Sequence, residues 1–173
     1  MKISVFCGTS VDGFIARRDG GLDFLPETPE PHGYEEFIAS VDTIVIGRKT
    51  YETVLGFDQW FYGDKRVVVL SRHPVEQPRS ARVEHMSGEP AEIAAKLAAT
   101  GATHVYLDGG ITIQRFLRAG LVDRLIVTRV PVLIGEGIPL FGPLPHDVRV
   151  VHVATRSYPS GLVQSEYEIA KET

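Results

Sequence analysis

The chain has 173 residues, 43% of them hydrophobic and 23% charged, with a formal net charge of −4 and one cysteine. That length is most simply one domain, 1–173, able to bury roughly 70% of the surface its unfolded form exposes. The charge balance argues against a broad nucleic-acid surface, no apolar run approaches the ~18 residues of a membrane helix, and the lone Cys7 excludes an internal disulfide or a cysteine-rich zinc site. The first residues lack the apolar core and cleavage site of a secretory signal, so the expected compartment is the cytoplasm.

An apolar run at 3–7 predicts the first strand, and a glycine- and proline-rich stretch at 17–32 is long enough to be a functional loop. A helix over 34–40, a strand at 43–46, a helix over 50–55 and a strand at 67–70 follow, with a weaker strand at 82–86. The helix over 90–100 has the firmest local signals, because Pro90 opens it, Ile93 and Leu97 share a face, and Gly101 stops it. A strand at 104–107, a helix over 112–119 ended by Gly120, and a strand at 125–132 continue the alternation. After a loop at 135–139, segments 148–155 and 162–169 form a hairpin across the turn 158–161. The expectation is an α/β fold with about eight strands, mostly parallel, helices on both faces and a C-terminal antiparallel hairpin.

Three strand ends carry groups suited to phosphate. Gly47-Arg48-Lys49-Thr50 joins a strand to a helix: glycine allows close approach of a ligand, Thr50 can cap the helix, and the two cations reach an anion. Leu70-Ser71-Arg72 ends a strand in a hydroxyl and a guanidinium, a donor pair for a 2′-phosphate. Asp108-Gly109-Gly110-Ile111-Thr112 places glycines at a helix start, where backbone N–H groups face an anion. Arg48, Lys49, Lys65, Arg66 and Arg72 fall in one quarter of the chain and suggest a local cationic patch. Taken singly, the plain alternatives are a helix cap, a surface turn and a solvated face.

These segments, together with Phe6-Cys7-Gly8-Thr9-Ser10-Val11-Asp12-Gly13-Phe14-Ile15-Ala16, resemble the dihydrofolate reductase superfamily. The similarity covers most of the chain and is nearest to single-domain relatives of the reductase half of riboflavin-biosynthesis enzymes. It implies NADPH as cofactor, with Gly47, Arg48, Lys49 and Thr50 at its phosphates, Leu70, Ser71 and Arg72 at the 2′-phosphate, and Gly109, Gly110, Ile111 and Thr112 at the pyrophosphate. Val11 and Ile15 would flank the nicotinamide while Gly8 permits close backbone approach, and an unusual, strained peptide geometry is expected between Gly109 and Gly110. It further implies a small-molecule substrate and a homodimer.

The chain also departs from that pattern. Folate reductases carry a buried carboxylate on the helix after the first strand, and anchoring on Phe37 puts Gly33 at that place. They also tend to carry a third glycine where Asp108 stands, a residue that then points away from phosphate or serves the substrate. Asp23 and Glu35 are the candidate catalytic acids, against the plainer reading of each as a solvated carboxylate. Thr128 is a candidate for the substrate pocket. Cys7 reads as a small buried hydrophobe, and the six histidines show no metal spacing, so no metal is expected. A Rossmann G-x-G-x-x-G is missing, and Gly135-Glu136-Gly137 reads as a flexible turn. The preferred reading is an NADPH-dependent reductase of a pyrimidine- or pterin-like or carbonyl substrate, with the 17–32 loop as lid. The alternative is a non-catalytic NADPH-binding module or redox sensor.

Overall fold

The apolar runs become the middle of a sheet because their side chains are covered from both sides. In the computed structural model, which describes residues 1–27, 30–78 and 81–171, the elements are β1 (Lys2–Thr9), β2 (Phe14–Ala16), α1 (Tyr34–Ser40), β3 (Thr43–Gly47), α2 (Arg48–Leu55), β4 (Arg66–Leu70) and β5 (Arg82–Met86). They continue with α3 (Pro90–Ala99), β6 (His104–Asp108), α4 (Gly110–Arg118), β7 (Arg124–Arg129), β8 (Ile138–Pro139), β9 (Val150–Ser157) and β10 (Val163–Ile169). Eight strands form one sheet in the order β5-β4-β3-β6-β1-β7-β10-β9, in which β10 alone runs against its neighbours. The short β2 and β8 pair with each other, a small sheet outside the expected set.

Two apolar layers follow from the strand alternation. On one face Val5, Val45, Val105 and Leu107 meet Ile93 and Leu97 of α3 and Ile113 and Phe116 of α4. On the other, Phe6, Ile44, Ile46, Tyr106 and Ile126 meet Phe37 of α1 and Tyr51 and Val54 of α2. Burying a side chain such as Ile93 or Phe116 stabilises the fold by about 1.5–3 kcal/mol.

The boundaries shift where local chemistry competes with apolar periodicity. The 125–132 run leaves the ladder at Arg129, because Pro131 cannot donate and Val132 N turns back onto Val130 O at 2.7 Å. The hairpin strand expected at 148–155 begins at Val150 and runs to Ser157. The turn closes as expected, with Gly161 N donating to Tyr158 O at 2.9 Å. The helix from Pro90 carries a reciprocal Glu89/Glu92 capping box, and Gly101 follows it with φ 97°.

The edge of the sheet where β3 and β6 begin is pinned by acids. Asp42 accepts from Thr103 N (2.9 Å), His104 N (3.0 Å) and the Thr43 hydroxyl (2.8 Å), while Asp123 accepts from Ile3 N at 2.7 Å. Lys65 donates to Val41 O at 2.7 Å and Arg66 pairs with Glu84, so both work at this edge. They therefore do not join Arg48, Lys49 and Arg72 in one cationic patch, because a strand carries its first and last residues to opposite edges. Burial pushes the Asp42 carboxyl up, but the hydrogen bonds from Thr103 and Thr43 and the backbone outweigh it and hold the group below its ordinary range. Stability drawn from Asp42 is therefore present above about pH 4 and lost as the pH falls through its lowered value. Asp42→Ala should cost about 1–3 kcal/mol in urea unfolding at pH 7, and the gap from the unsubstituted protein should narrow as the pH falls below about 4 toward the lowered Asp42 value.

Candidate functional site

At the opposite edge β3 and β6 lie side by side, with Ile46 opposite Asp108, and each runs straight into a helix. Thr50 does not cap α2 as its position suggested; the helix starts at Arg48, with Gly47 as N-cap and Thr50 in the first turn. Likewise α4 starts at Gly110, with Gly109 as N-cap. Neither N-cap makes a side-chain hydrogen bond, so the first-turn N–H groups of both helices have no capping oxygen.

The glycines make this juxtaposition possible. A Cβ on Gly47 would lie 2.8 Å from Thr112 Oγ1, and one on Gly109 2.8 Å from Thr50 Oγ1. One on Gly110 would lie 2.9 Å from Ile138 Cγ2 and 3.0 Å from Ile15 Cγ2. Gly109 adopts φ 97° and ψ 127°, a left-handed conformation that a side chain would oppose. The unusual peptide geometry expected between Gly109 and Gly110 is not a cis bond, since the described residues contain no cis peptide.

A cleft of about 600 Å³ opens over the helix starts. Lys49, Thr50, Glu52 and Thr53 of α2 line one wall, Asp108, Gly109 and Gly110 the base, and Ile15, Ala16, Arg18, Asp19, Gly20 and Leu22 the facing loop. Arg48 is exposed, pairs with Glu52 (3.1 Å) and reaches Ser71 Oγ (3.4 Å), joining two of the three strand ends. Arg72 follows Ser71 as an exposed residue, Leu70 packs against the core, Thr112 is buried and Ile111 is 60% exposed. Two adjacent helix N-termini without caps, close-packed glycines and nearby cations are the donor set that a phosphate-bearing dinucleotide needs, so these residues fit such a group.

The facing loop is fastened to the segment before β8. Asp12 accepts from Gly135 N (2.8 Å) and Ile134 N (3.3 Å), Arg18 pairs with Glu136 (3.2 Å), and β2 pairs with β8. Gly135-Glu136-Gly137 is thus a tethered loop, which a reading by composition misses because its partners lie more than a hundred positions away.

The carboxylates sort by environment. Asp23 is 71% exposed and held by Arg17 at 2.5 Å, which keeps its carboxyl below the ordinary range. Glu35 is exposed on α1. Neither lines the cleft. Asp108 does, half-buried, accepting from Gly109 N at 2.8 Å. Burial pushes its carboxyl above the ordinary range, against the pull of the Gly109 N–H and the Tyr106 hydroxyl. Burial, and then the Asp108 charge, push Tyr34 up to about 12 and raise Tyr62 and Tyr106 as well. The sequence signal for Asp108 was an acid standing where a glycine was expected.

Gly8 faces Leu25, and with Thr128 they line a smaller cavity of about 130 Å³. Gly33 is the N-cap of α1 with φ 90°. Cys7 is buried and its thiol pushed up, chiefly by burial. Among the described residues no cluster of His, Cys, Asp or Glu is arranged to hold a metal, and no helix is long and apolar enough to cross a membrane.

Comparisons with known proteins agree with this geometry. The uncharacterized protein YwjB of Bacillus subtilis (strain 168) is 30% identical over 161 residues, covering 91% of this chain and 92% of its own. The uncharacterized protein YyaP of the same organism is 28% identical over 179 residues, covering 96% and 94%. A putative riboflavin biosynthesis protein from Shewanella sp. PV-4 superposes with a TM-score of 0.89 at 37% identity, over 99% of this chain and 100% of that one. At 20% identity, where likeness speaks for the fold alone, dihydrofolate reductase from Enterococcus faecalis complexed with NADP(H) gives a TM-score of 0.68 over 98% and 97% of the two chains. A deaminase/reductase from Thermotoga maritima gives 0.76 at 15% identity, with 56% of its length covered. The RibD C-terminal domain family matches residues 1–164, and the chain belongs to that reductase-like family, with the dihydrofolate-reductase-like fold.

Proposed function

We propose that the protein is an NADPH-dependent reductase of a small heterocyclic or carbonyl-bearing molecule. The observation that carries this reading is the pair of uncapped helix N-termini pressed together by Gly47 and Gly109 beside Arg48 and Ser71. In this reading the first-turn amides of Arg48, Lys49 and Thr50, and of Gly110, Ile111 and Thr112, hold the pyrophosphate. The Arg48 guanidinium and Ser71 hydroxyl, with Arg72 adding charge and Leu70 fixing the strand end, hold the 2′-phosphate and favour NADPH over NADH. Ile15 and Gly110 form the wall of the cleft against which a flat ring can lie, and Gly8 lines the smaller cavity nearby.

When bound, the reduced nicotinamide supplies a hydride. The protein positions the acceptor, excludes water and supplies the proton. Among the candidate acids Asp108 suits that last task, because burial keeps it protonated further up the pH scale than Asp23, which Arg17 holds ionised. Asp108 would protonate the nitrogen or oxygen of a C=N or C=O bond reduced at its carbon, and solvent would return the proton to Asp108. The loop facing α2 acts as the lid, tethered through Arg18–Glu136 and Asp12; residues 28 and 29 of the 17–32 stretch lie outside the described residues.

Self-association as a homodimer has a surface to use, since β9 is the sheet edge and exposes Val150, Val151 and Val153. A lone, buried thiol at Cys7 suits the reducing cytoplasm.

Arg48→Ala should weaken NADPH binding about ten- to a hundredfold while changing NADH binding less than about threefold, read by fluorescence titration with each cofactor. Asp108→Asn should lower kcat about 10²–10⁴-fold with NADPH affinity retained. Because a raised carboxyl donates only while protonated, turnover by the unsubstituted enzyme should fall as pH rises through the Asp108 value, and that limb should vanish in the variant. The readout is loss of reduced-nicotinamide absorbance with a panel of pterins, pyrimidines and carbonyl compounds; cofactor binding without turnover across the panel would instead support the sensor reading.

A further inference from the structure

Tyr106 lies in the middle of β6 and is only 5% exposed. It packs on one face of the sheet with Phe6, Ile44 and Ile46, and Asp108, two residues further along the same strand, falls on that face as well. β1 and β6 run parallel with Val5 opposite Leu107, so Phe6 is in step with Asp108; on the other side Ile46 stands opposite Asp108. The Tyr106 hydroxyl donates to Phe6 O at 3.2 Å. Its ring therefore leans along the sheet toward the cleft, and its oxygen lies level with the Asp108 carboxyl.

A tyrosine hydroxyl has a single hydrogen to give. At 3.2 Å the bond to Phe6 O is longer than the range of about 2.5–3.0 Å usual for an O–H donor, and so it is weak. A carboxylate at the same level is the better acceptor, because a charge-assisted hydrogen bond is about twice as strong as a neutral one. Asp108 has room for such a donor: Gly109 N occupies Oδ1 at 2.8 Å, and Oδ2 receives none among the described residues. While the carboxyl is protonated the preference reverses, since a neutral acid offers no charge and the Phe6 carbonyl keeps the hydrogen.

We propose that Tyr106 is a positioning residue for the Asp108 proton: its hydroxyl hydrogen rests on Phe6 O while Asp108 is protonated and turns onto the carboxylate once the proton has left. This rests on the reading above of Asp108 as the acid of the reductase. Tyr106 keeps its own hydrogen throughout; only the acceptor changes, and the proton that leaves Asp108 goes to the substrate nitrogen or oxygen. The arrangement offsets a difficulty that burial creates. Burial lifts the Asp108 carboxyl, so a bare anion in that setting would hold its proton too firmly. A donor that meets the anion only after it forms stabilises the product side of proton transfer and leaves the protonated state untouched.

Of the other groups near the carboxyl, Tyr34, Tyr62 and Cys7 have their protons held on by burial, while Lys49, Glu52, Arg18 and Asp19 share the cleft with it. Tyr106→Phe leaves all of them in place. The test is a pH titration of the unliganded protein by carbon-13 NMR, following the Asp108 carboxyl and the Phe6 carbonyl together. In the unsubstituted chain the Phe6 carbonyl should move upfield with the Asp108 midpoint as it loses its hydrogen bond. Because that response is read on the unsubstituted chain, it decides the matter even if Tyr106→Phe does not fold. Tyr106→Phe should raise the Asp108 midpoint by about one pH unit or more and remove the upfield movement. In turnover it should lower kcat about three- to tenfold with KM unchanged. An Asp108 midpoint unchanged or lowered in the variant, a Phe6 carbonyl indifferent to Asp108 ionisation, or an unaltered kcat overturns the proposal. Absence of turnover by the unsubstituted protein with every substrate tried overturns the reductase reading, and the coupled titration of Asp108 and Phe6 then still supports the hydrogen-bond exchange at Tyr106.

Discussion

The ends of β3 and β6 come together only because neither Gly47 nor Gly109 has a side chain. Across that ladder each glycine faces a threonine hydroxyl from the other strand's helix, Thr112 and Thr50 respectively, at separations a Cβ would close to 2.8 Å. Everything at the functional edge depends on this contact. It sets α2 and α4 side by side with their N-termini pointing into one cleft, and it leaves their first amides without side-chain caps. Two helix dipoles aimed at one point favour negative charge there more than either would alone.

The two edges of the sheet divide the polar chemistry. Asp42 and Asp123 are satisfied by the strand starts beside them, and Lys65 and Arg66 are engaged at that edge too. These groups are structural, and their partners use up their hydrogen-bonding capacity. At the other edge the groups are incompletely satisfied: uncapped amides, an exposed Arg48 shared between Glu52 and Ser71, and a carboxyl at Asp108 lifted by burial. Unspent hydrogen bonding marks where a ligand completes the structure.

Asp108 and Gln164 reach one face of the sheet from different strands. Asp108 comes from the end of β6 and Gln164 from β10, and the helix α1 between them opens with Gly33, which has no side chain to contribute. Burial lifts the Asp108 carboxyl, set among Tyr34, Tyr62 and Tyr106, above its ordinary range.

The order of strands and helices was written in the apolar periodicity, because a strand buried on both faces needs a continuous run such as Val67-Val68-Val69 and an amphipathic helix needs Ile93 and Leu97 four apart. Gly101 and Gly120 marked helix ends for the local reason that only glycine takes those torsions cheaply. The three strand ends were equally legible, since glycine and cations next to a strand are local features. What sequence could not place was anything made by distant partners: that Lys65 and Arg66 belong to the far edge, that Asp12 holds the loop at Gly135, and that Asp108 rather than Asp23 or Glu35 lines the cleft. Burial and hydrogen-bond partnership are properties of the packed chain, and strand order brings Asp108 and Gln164 to one face from 56 positions apart. Composition and periodicity determined which segments form the sheet; only folding decided which polar groups were left with nothing to bind.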